Sequence, residues 1–433
     1  MRQVPISIQP IASKAQRFSL GNVFALTFNA HFGFCLLIPG LSFVFFAVDS
    51  PLFPPSATQA DRSLFYGLCL GFTSIGSLIA NTFIPIISDH YGRKPAWVIS
   101  MIALFFVAAG SLSGLIWQSP LIFILAFLLH GLLDANKSTG LASVADASQG
   151  QRLVIDMGIL QSITAAGACI GPVLGGILAE KNLWLHVAYA LPFMLTLCIS
   201  IITLIQAFAF QETHSITIRP LSTQPLKFNI RVIVRDYFNL IRQRTLLKLF
   251  IVLVLSQLSW SSYYQFIGPF LKTVLNFSPH EIGFFMGSIA FWLVLAAGLG
   301  LRFLKCWLTD QQIIRGSIIS VAVGSIVTLI AGTFIQLFGM KLLLWIAAIP
   351  VAMGDVIIYS LLTSSLSHKV DSAHRGKAMG LNLVTAMLVW SGTALLGAYL
   401  MSINPLGAFY FMPVGICALL LATHFYKKLC VFT

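Results

Sequence analysis

The chain has 433 residues and a net charge of +13, yet only 9% of its side chains are charged and 58% are hydrophobic. Its mean hydropathy of +0.90 lies far from that of water-soluble domains, which carry about 25% charged residues. This excludes a soluble enzyme and predicts an all-α membrane protein.

Apolar stretches of about twenty residues, enough to cross roughly 30 Å of hydrocarbon at 1.5 Å per residue, recur about twelve times. They fall near 18–46, 64–88, 96–117, 120–143, 153–179 and 184–209, then near 246–275, 280–302, 311–336, 341–366, 376–402 and 405–427. Only a helix or a closed barrel satisfies its backbone in lipid, and these runs are too long and too unalternating for barrel strands. The basic residues are unevenly distributed among the loops. Arg62, Lys181, Lys272 and Lys341 fall on one side, Lys137 falls within the bilayer, and the others collect on the opposite side. The positive-inside rule then makes both termini cytoplasmic, and this one-sided distribution argues against a nucleic-acid partner.

The first stretch follows Lys14 and Arg17 but is too long for a signal peptide and lacks a small-residue cleavage site, so it is read as a retained helix. Asn29 and His31 interrupt it. After the second stretch comes Ser88-Asp89-His90-Tyr91-Gly92-Arg93-Lys94-Pro95. It resembles the loop signature of the major facilitator superfamily, G-x-x-x-D-R-x-G-R-[RK], with Asp89, Gly92, Arg93 and Lys94 in register. Pro85 stands where that family has its first glycine, and His90 where it usually has arginine. The resemblance implies a conformational gate in which glycine allows the tight turn and the charges lock a closed cytoplasmic face.

In the fourth stretch, His130-Gly-Leu-Leu-Asp134-Ala-Asn-Lys137 places three polar residues at i, i+4 and i+7, on one face of a continuous helix. Asp134 would lie roughly 20 Å into a span of about 30 Å, where a charge must pair or meet water. Two readings are open: a static Asp134–Lys137 pair that orients helices, or a carboxylate whose proton affinity changes as the site opens to either side. The fifth stretch contains Gly167-Ala-Cys-Ile-Gly171-Pro172-Val-Leu-Gly175-Gly176. It is similar to the antiporter signature G-x-x-x-G-P-x-x-G-G of the same superfamily, in which small residues permit close helix approach and proline permits bending. Drug-exporting members usually carry an arginine four residues before a glycine in the fourth helix; here Phe127 precedes Gly131.

The polar stretch 211–245 divides the chain into an N-terminal unit (1–210) and a C-terminal unit (246–433), each with six expected helices. The halves echo each other in chain order. Tyr66-Gly67-x-x-x-Gly71 recurs as Ile282-Gly283-x-x-x-Gly287, Pro39 as Pro269, Asp134 as Asp355, and Met157-Gly158 as Met379-Gly380. Two pseudo-symmetric bundles rocking about a central site describe an alternating-access transporter.

The seventh stretch is broken by Gln257-Leu-Ser-Trp260-Ser-Ser-Tyr263-Tyr264-Gln265. Gln257, Trp260 and Tyr264 share a helical face, and Trp260 lies too deep for an interfacial belt. These residues, with Asn29 and His31 from the equivalent first helix, are the candidate substrate wall, suited to partly apolar compounds. In the tenth stretch Asp355 is a second proton-coupling candidate beside Asp134, Lys137 and His130, and Tyr359, one turn further on, is a further candidate for the substrate wall. Asp146, Asp156 and Asp371 read as helix-end contacts. Asn81, Gln161 and Asn382 are lesser candidates.

Seven scattered cysteines without a CxxC pair fit core packing rather than a disulfide or metal framework. No HExxH, GxSxG or P-loop occurs, since His280-Glu281 lacks the second histidine. No cofactor is expected. Overall layout is similar to the twelve-helix drug:proton antiporter branch, over nearly the whole chain. It implies proton-coupled export of a small, partly apolar organic compound by a monomer in a bacterial inner membrane. Proton-coupled import of a nutrient or siderophore, and siderophore export, remain the alternatives.

Overall fold

Helix starts follow local capping chemistry. Thr58 and Asp61 satisfy each other's free amides in one capping box, Ser278 and Glu281 in a second, and Thr309 and Gln312 in a third. The computed structural model describes residues 14–180, 189–213, 235, 242–334, 340–370, 375–410 and 415–416. In order these form α1 (Lys14–Phe46), α2 (Gln59–Tyr91), α3 (Arg93–Ile116), α4 (Pro120–Leu133), α5 (Asn136–Ala147), α6 (Gly150–Leu178) and α7 (Leu191–Phe208). Then come α8 (Arg244–Thr273), α9 (Pro279–Leu295), a π-helical stretch Ala296–Gly300, α10 (Leu301–Lys305), α11 (Asp310–Thr333), α12 (Met340–His368), α13 (Arg375–Ile403) and a short 3₁₀ turn, Gly407–Tyr410.

Among the described residues, 11 stretches are helical, long and apolar enough to cross a membrane. Most of the expected twelfth, 405–427, lies outside the described residues, as does most of the linker. Large aliphatic side chains such as Ile202, Ile319 and Leu342 remain exposed, as a lipid-facing belt requires.

The expected single helix over 120–143 is two helices. Asp134 leaves helical geometry (φ −86°, ψ 107°) because its own Oδ1 accepts the Asn136 backbone amide at 3.2 Å and the Asn136 side-chain amide at 2.7 Å. The Ala135 amide that the break frees is taken by the Ser100 hydroxyl at 3.1 Å. A short polar side chain thus outcompetes the ladder. The expected continuous run 280–302 also changes character, passing through the π-helical Ala-Ala-Gly-Leu-Gly, where two glycines loosen the helix.

Helices α1–α7 pack among themselves, as do α8–α13, and the two sets meet chiefly through α2 against α13 and α6 against α9. The recurring glycine pair explains both seams. A side chain on Gly67 or Gly71 would run into Ala398, Ala394 or Leu395 of α13, and one on Gly283 or Gly287 into Gly176, Cys169 or Val173 of α6. Each half lends one such stripe to the other.

Of the cysteines, Cys35 and Cys69 are buried as expected, but Cys198 and Cys306 are exposed, so packing within the core does not explain those two. Cys417 and Cys430 lie outside the described residues.

Candidate functional site

The junction of the halves encloses a cavity of about 240 Å³ lined by α1, α2 and α4 from one side and α8 and α13 from the other. Its wall is aromatic: Phe34, Tyr66 and Phe127 face Tyr264 and Trp390, with Thr73, Ser74, Ser77 and Gln265 as the polar inserts. Of the expected substrate wall only Tyr264 lines it. Trp260 stands behind and stacks on Tyr264 with ring centroids 5.4 Å apart. Gln257 is buried, and its Oε1 accepts the Trp390 indole N–H at 3.0 Å. Both therefore hold the wall rather than form it.

His31 lies seven residues before Ile38, a cavity-lining residue on the same side of α1. Its Nδ1 is 3.1 Å from the Thr27 carbonyl, and the ring is within electrostatic reach of both Asp134 and Lys137. Asn29 does not join it. It falls on the side of Asn22 and Gly33, which bond Gln206 and Thr196 of α7.

The expected one-face stripe is broken with its helix. His130 is buried and stacked on Phe34 at 4.5 Å, with Nδ1 left unpartnered. Asp134 sits in the break, and Lys137 is exposed on the first turn of α5. Among the described residues Asp134 and Lys137 form no ion pair in this conformation. The structure instead gathers His31, Asp134 and Lys137 about the break. Phe127, where drug exporters usually carry arginine, lines the cavity itself.

Asp355 is 7% exposed on α12 and has no hydrogen-bond or ion-pair partner among the described residues. Tyr359, one turn on, accepts Asn382 Nδ2 of α13 at 3.1 Å. Neither lines the central cavity.

The gate residues form a compact network. Arg93 Nε meets Asp146 at 2.6 Å, while its Nη1 meets Asp89 at 2.6 Å and Ser88 at 2.9 Å. Glu212 accepts the backbone amides of Arg93 at 2.8 Å and Lys94 at 3.0 Å. Gly92 turns the chain between α2 and α3 at φ +101°, where a side chain would also meet Glu212. Ser88, Asp89 and Asp146 belong to the first half, and Glu212 to the stretch between the halves. One expectation changes. Lys94 contributes its backbone rather than its charge. Asp146, read from sequence as a helix-end residue, is a principal partner of Arg93. Asp156 does make helix-end contacts, with Ser148 at 2.6 Å and Arg152 at 3.5 Å. Asp371 lies outside the described residues.

In the α6 signature, Gly167, Gly171 and Gly175 bring the helix against Phe32, Cys35 and Leu36 of α1, whereas Gly176 and the Pro172 carbonyl face Gly283 of α9. One sequence motif therefore serves one contact within a half and one between halves.

The hydrogen bonds between described residues of opposite halves join Tyr66 to Gln265 at 2.7 Å, Cys169 to Gly287 at 3.4 Å, Ser391 to Gly71 at 3.2 Å and Glu180 to His280 at 2.6 Å. All lie in the helix portions nearer Tyr189. At that end the Tyr189 hydroxyl donates to Asp49 at 3.1 Å, and burial, followed by the Asp49 charge, raises its pKa.

Sequence reasoning missed Trp390, Gln265 and Thr73. Trp390 is the only tryptophan of α13, and Gln265 closes the polar run of α8; in-helix spacing alone does not reveal which faces meet.

Two sets of membrane-spanning helices enclosing a central cavity define a transporter-type membrane protein. The Major Facilitator Superfamily model matches residues 23–394, and the chain belongs to that superfamily. It is a multi-pass membrane transporter rather than an enzyme. It is 22% identical over 410 residues to a tetracycline resistance protein, class H, of Pasteurella multocida, covering 91% of this chain and 95% of that one. Its fold is similar to that of the human organic anion transporter MFSD10, with a TM-score of 0.63 at 17% identity over 95% of this chain and 99% of that one. A D-xylose-proton symporter aligns with a TM-score of 0.68 at 14% identity, covering 95% and 97% of the two chains.

Proposed function

We propose that this transporter exports a small, partly apolar organic compound in exchange for protons by alternating access. The observation that carries the reading is the aromatic cavity at the junction of the halves; His31, within electrostatic reach of Asp134 and Lys137, lies one turn before the lining Phe34 on α1. Aromatic faces with a few polar groups suit a flat organic solute. A carboxylate at that depth persists only where it pairs, meets water or carries protons.

The cross-half hydrogen bonds between described residues, all nearer Tyr189, support a carrier sealed at that end. The basic loops make the Arg93 end cytoplasmic, so the cavity would load from within the cell. The similarity to a tetracycline resistance protein supports export. Asp355, placed in the second half as Asp134 is in the first, is a further proton-coupling residue in this reading. The two units 1–210 and 246–433 move against each other as a monomer in a bacterial inner membrane.

The test uses everted membrane vesicles with an acidified interior. Added tetracycline, or a siderophore, releases protons with the intact protein and not with Asp134→Asn. If no compound does so while a labelled solute enters right-side-out vesicles together with protons, the chain is an importer.

A further inference from the structure

The hydrogen-bond donors that line the central cavity divide into spent and free. The Tyr66 hydroxyl donates to the Gln265 carbonyl at 2.7 Å, Thr73 to the Cys69 carbonyl at 2.7 Å and Ser74 to the Leu70 carbonyl at 3.0 Å. The Trp390 indole N–H goes to Gln257 at 3.0 Å, and Nε2 of Gln265 to the Trp390 carbonyl at 3.1 Å. Two lining hydroxyls, those of Ser77 and Tyr264, donate to no described residue. The unpartnered polar atoms that are sealed inside the protein lie on other residues, so both of these oxygens meet open space.

The two free hydroxyls differ in what they can do alone. Ser77 sits within α2, where a serine proton can turn to the carbonyl one turn back, as Thr73 and Ser74 already do. A phenol hydroxyl stands a ring's length from its own backbone and has no such local acceptor. The Tyr264 ring is also held in place, stacked on Trp260 with centroids 5.4 Å apart and tilted against Trp390 at 6.1 Å. Its oxygen shares a lone pair with the ring, which makes it a better donor than acceptor. A positioned donor at the cavity wall favours a solute that brings it an acceptor, because one without leaves the hydroxyl desolvated and unpaired.

We infer that the central cavity favours aromatic molecules bearing a carbonyl oxygen, to which the Tyr264 hydroxyl donates, so that Tyr264 sets the specificity. This rests on the reading of the cavity as the substrate site. Size and aromatic stacking admit a ketone and its alkene isostere alike. The acceptor separates them.

The experiment is equilibrium dialysis of the purified full chain in detergent against 2-acetylnaphthalene and its isostere 2-isopropenylnaphthalene, with uptake by protein-free micelles subtracted. The ketone is expected to bind about five- to thirtyfold tighter than the alkene, the range for a donor left unpaired when it is desolvated. In Tyr264→Phe, which keeps the ring and its stacking, the two compounds should bind comparably. In Ser77→Ala the preference should persist.

Equal binding of ketone and alkene by the intact protein overturns the inference, as does a preference that survives in Tyr264→Phe, one lost in Ser77→Ala instead, or no binding of either compound. The ligand comparison needs only the intact protein, so a poorly folded variant does not remove the test. Its failure is separable from that of the export reading. Proton-coupled export with no carbonyl preference sinks this inference alone, and a carbonyl preference without proton-coupled export sinks the other.

Discussion

Trp390 of α13 donates its indole N–H to Oε1 of Gln257 on α8 at 3.0 Å, behind the cavity wall that Trp390 and Tyr264 share. With Gln257 only 6% exposed, Trp390→Phe keeps an aromatic face but leaves that oxygen buried and unpaired. The expected cost is about 1–3 kcal/mol, read as a lower thermal unfolding midpoint in detergent. Adding Gln257→Leu should restore most of the loss, because both polar partners are then gone. An unchanged midpoint in Trp390→Phe would show that the bond holds nothing in place.

A second prediction concerns the seam between α6 and α9. A Cβ on Gly176 would stand 2.8 Å from the Gly283 Cα, and backbone cannot yield as a flexible side chain does. Gly176→Val should therefore destabilise the closed seam by about 1–3 kcal/mol, the usual scale of overpacking. A cysteine introduced at Ser278 should then react faster with a membrane-impermeant maleimide. Gly158→Val, in the same helix but facing open space, should leave that rate unchanged.

The neighbouring cations Arg93 and Lys94 should behave differently. The Arg93 side chain is 7% exposed and bonds two carboxylates, whereas Lys94 uses its backbone amide. Arg93→Ala removes charge-assisted hydrogen bonds of about 1.5–3 kcal/mol each. Because Asp89 is 53% and Asp146 23% exposed, water compensates part of that, and a net loss of about 2 kcal/mol is expected. Lys94→Ala should stay within about 0.5 kcal/mol. Equal effects in thermal unfolding would mean that the network does not matter to stability.

Much of the fold was legible in the sequence, for identifiable reasons. Hydrophobic length reports membrane crossing directly, and the Gly67–Gly71 and Gly283–Gly287 pairs mark close helix contacts because nothing larger fits there. What escaped was whatever depends on a side chain competing with its own backbone or on which helices meet. The spacing of His130, Asp134 and Lys137 promised one stripe, but Asp134 bonds the Asn136 amide and ends the helix. Asp146 looked like a helix-end residue because its partner, Arg93, lies 53 residues away in the chain. Trp390 and Gln265 entered the site only once α8 and α13 were seen side by side.

The break at Asp134 allows structure and proton coupling to be tested apart. Its Oδ1 accepts both the backbone and the side-chain amide of Asn136, at 3.2 and 2.7 Å. Asparagine keeps a side-chain oxygen there but cannot hold an exchangeable carboxyl proton. Asp134→Asn should therefore leave thermal stability within about 0.5 kcal/mol of the intact protein. Asp134→Ala also loses the acceptor and should cost about 1 kcal/mol, as when a helix-terminal acceptor is removed. If the carboxylate couples protons to transport, Asp134→Asn loses substrate-driven proton release despite its intact fold. If proton release survives there and is lost in Asp355→Asn, coupling resides on α12, and the polar break in the fourth span serves the shape of the cavity alone.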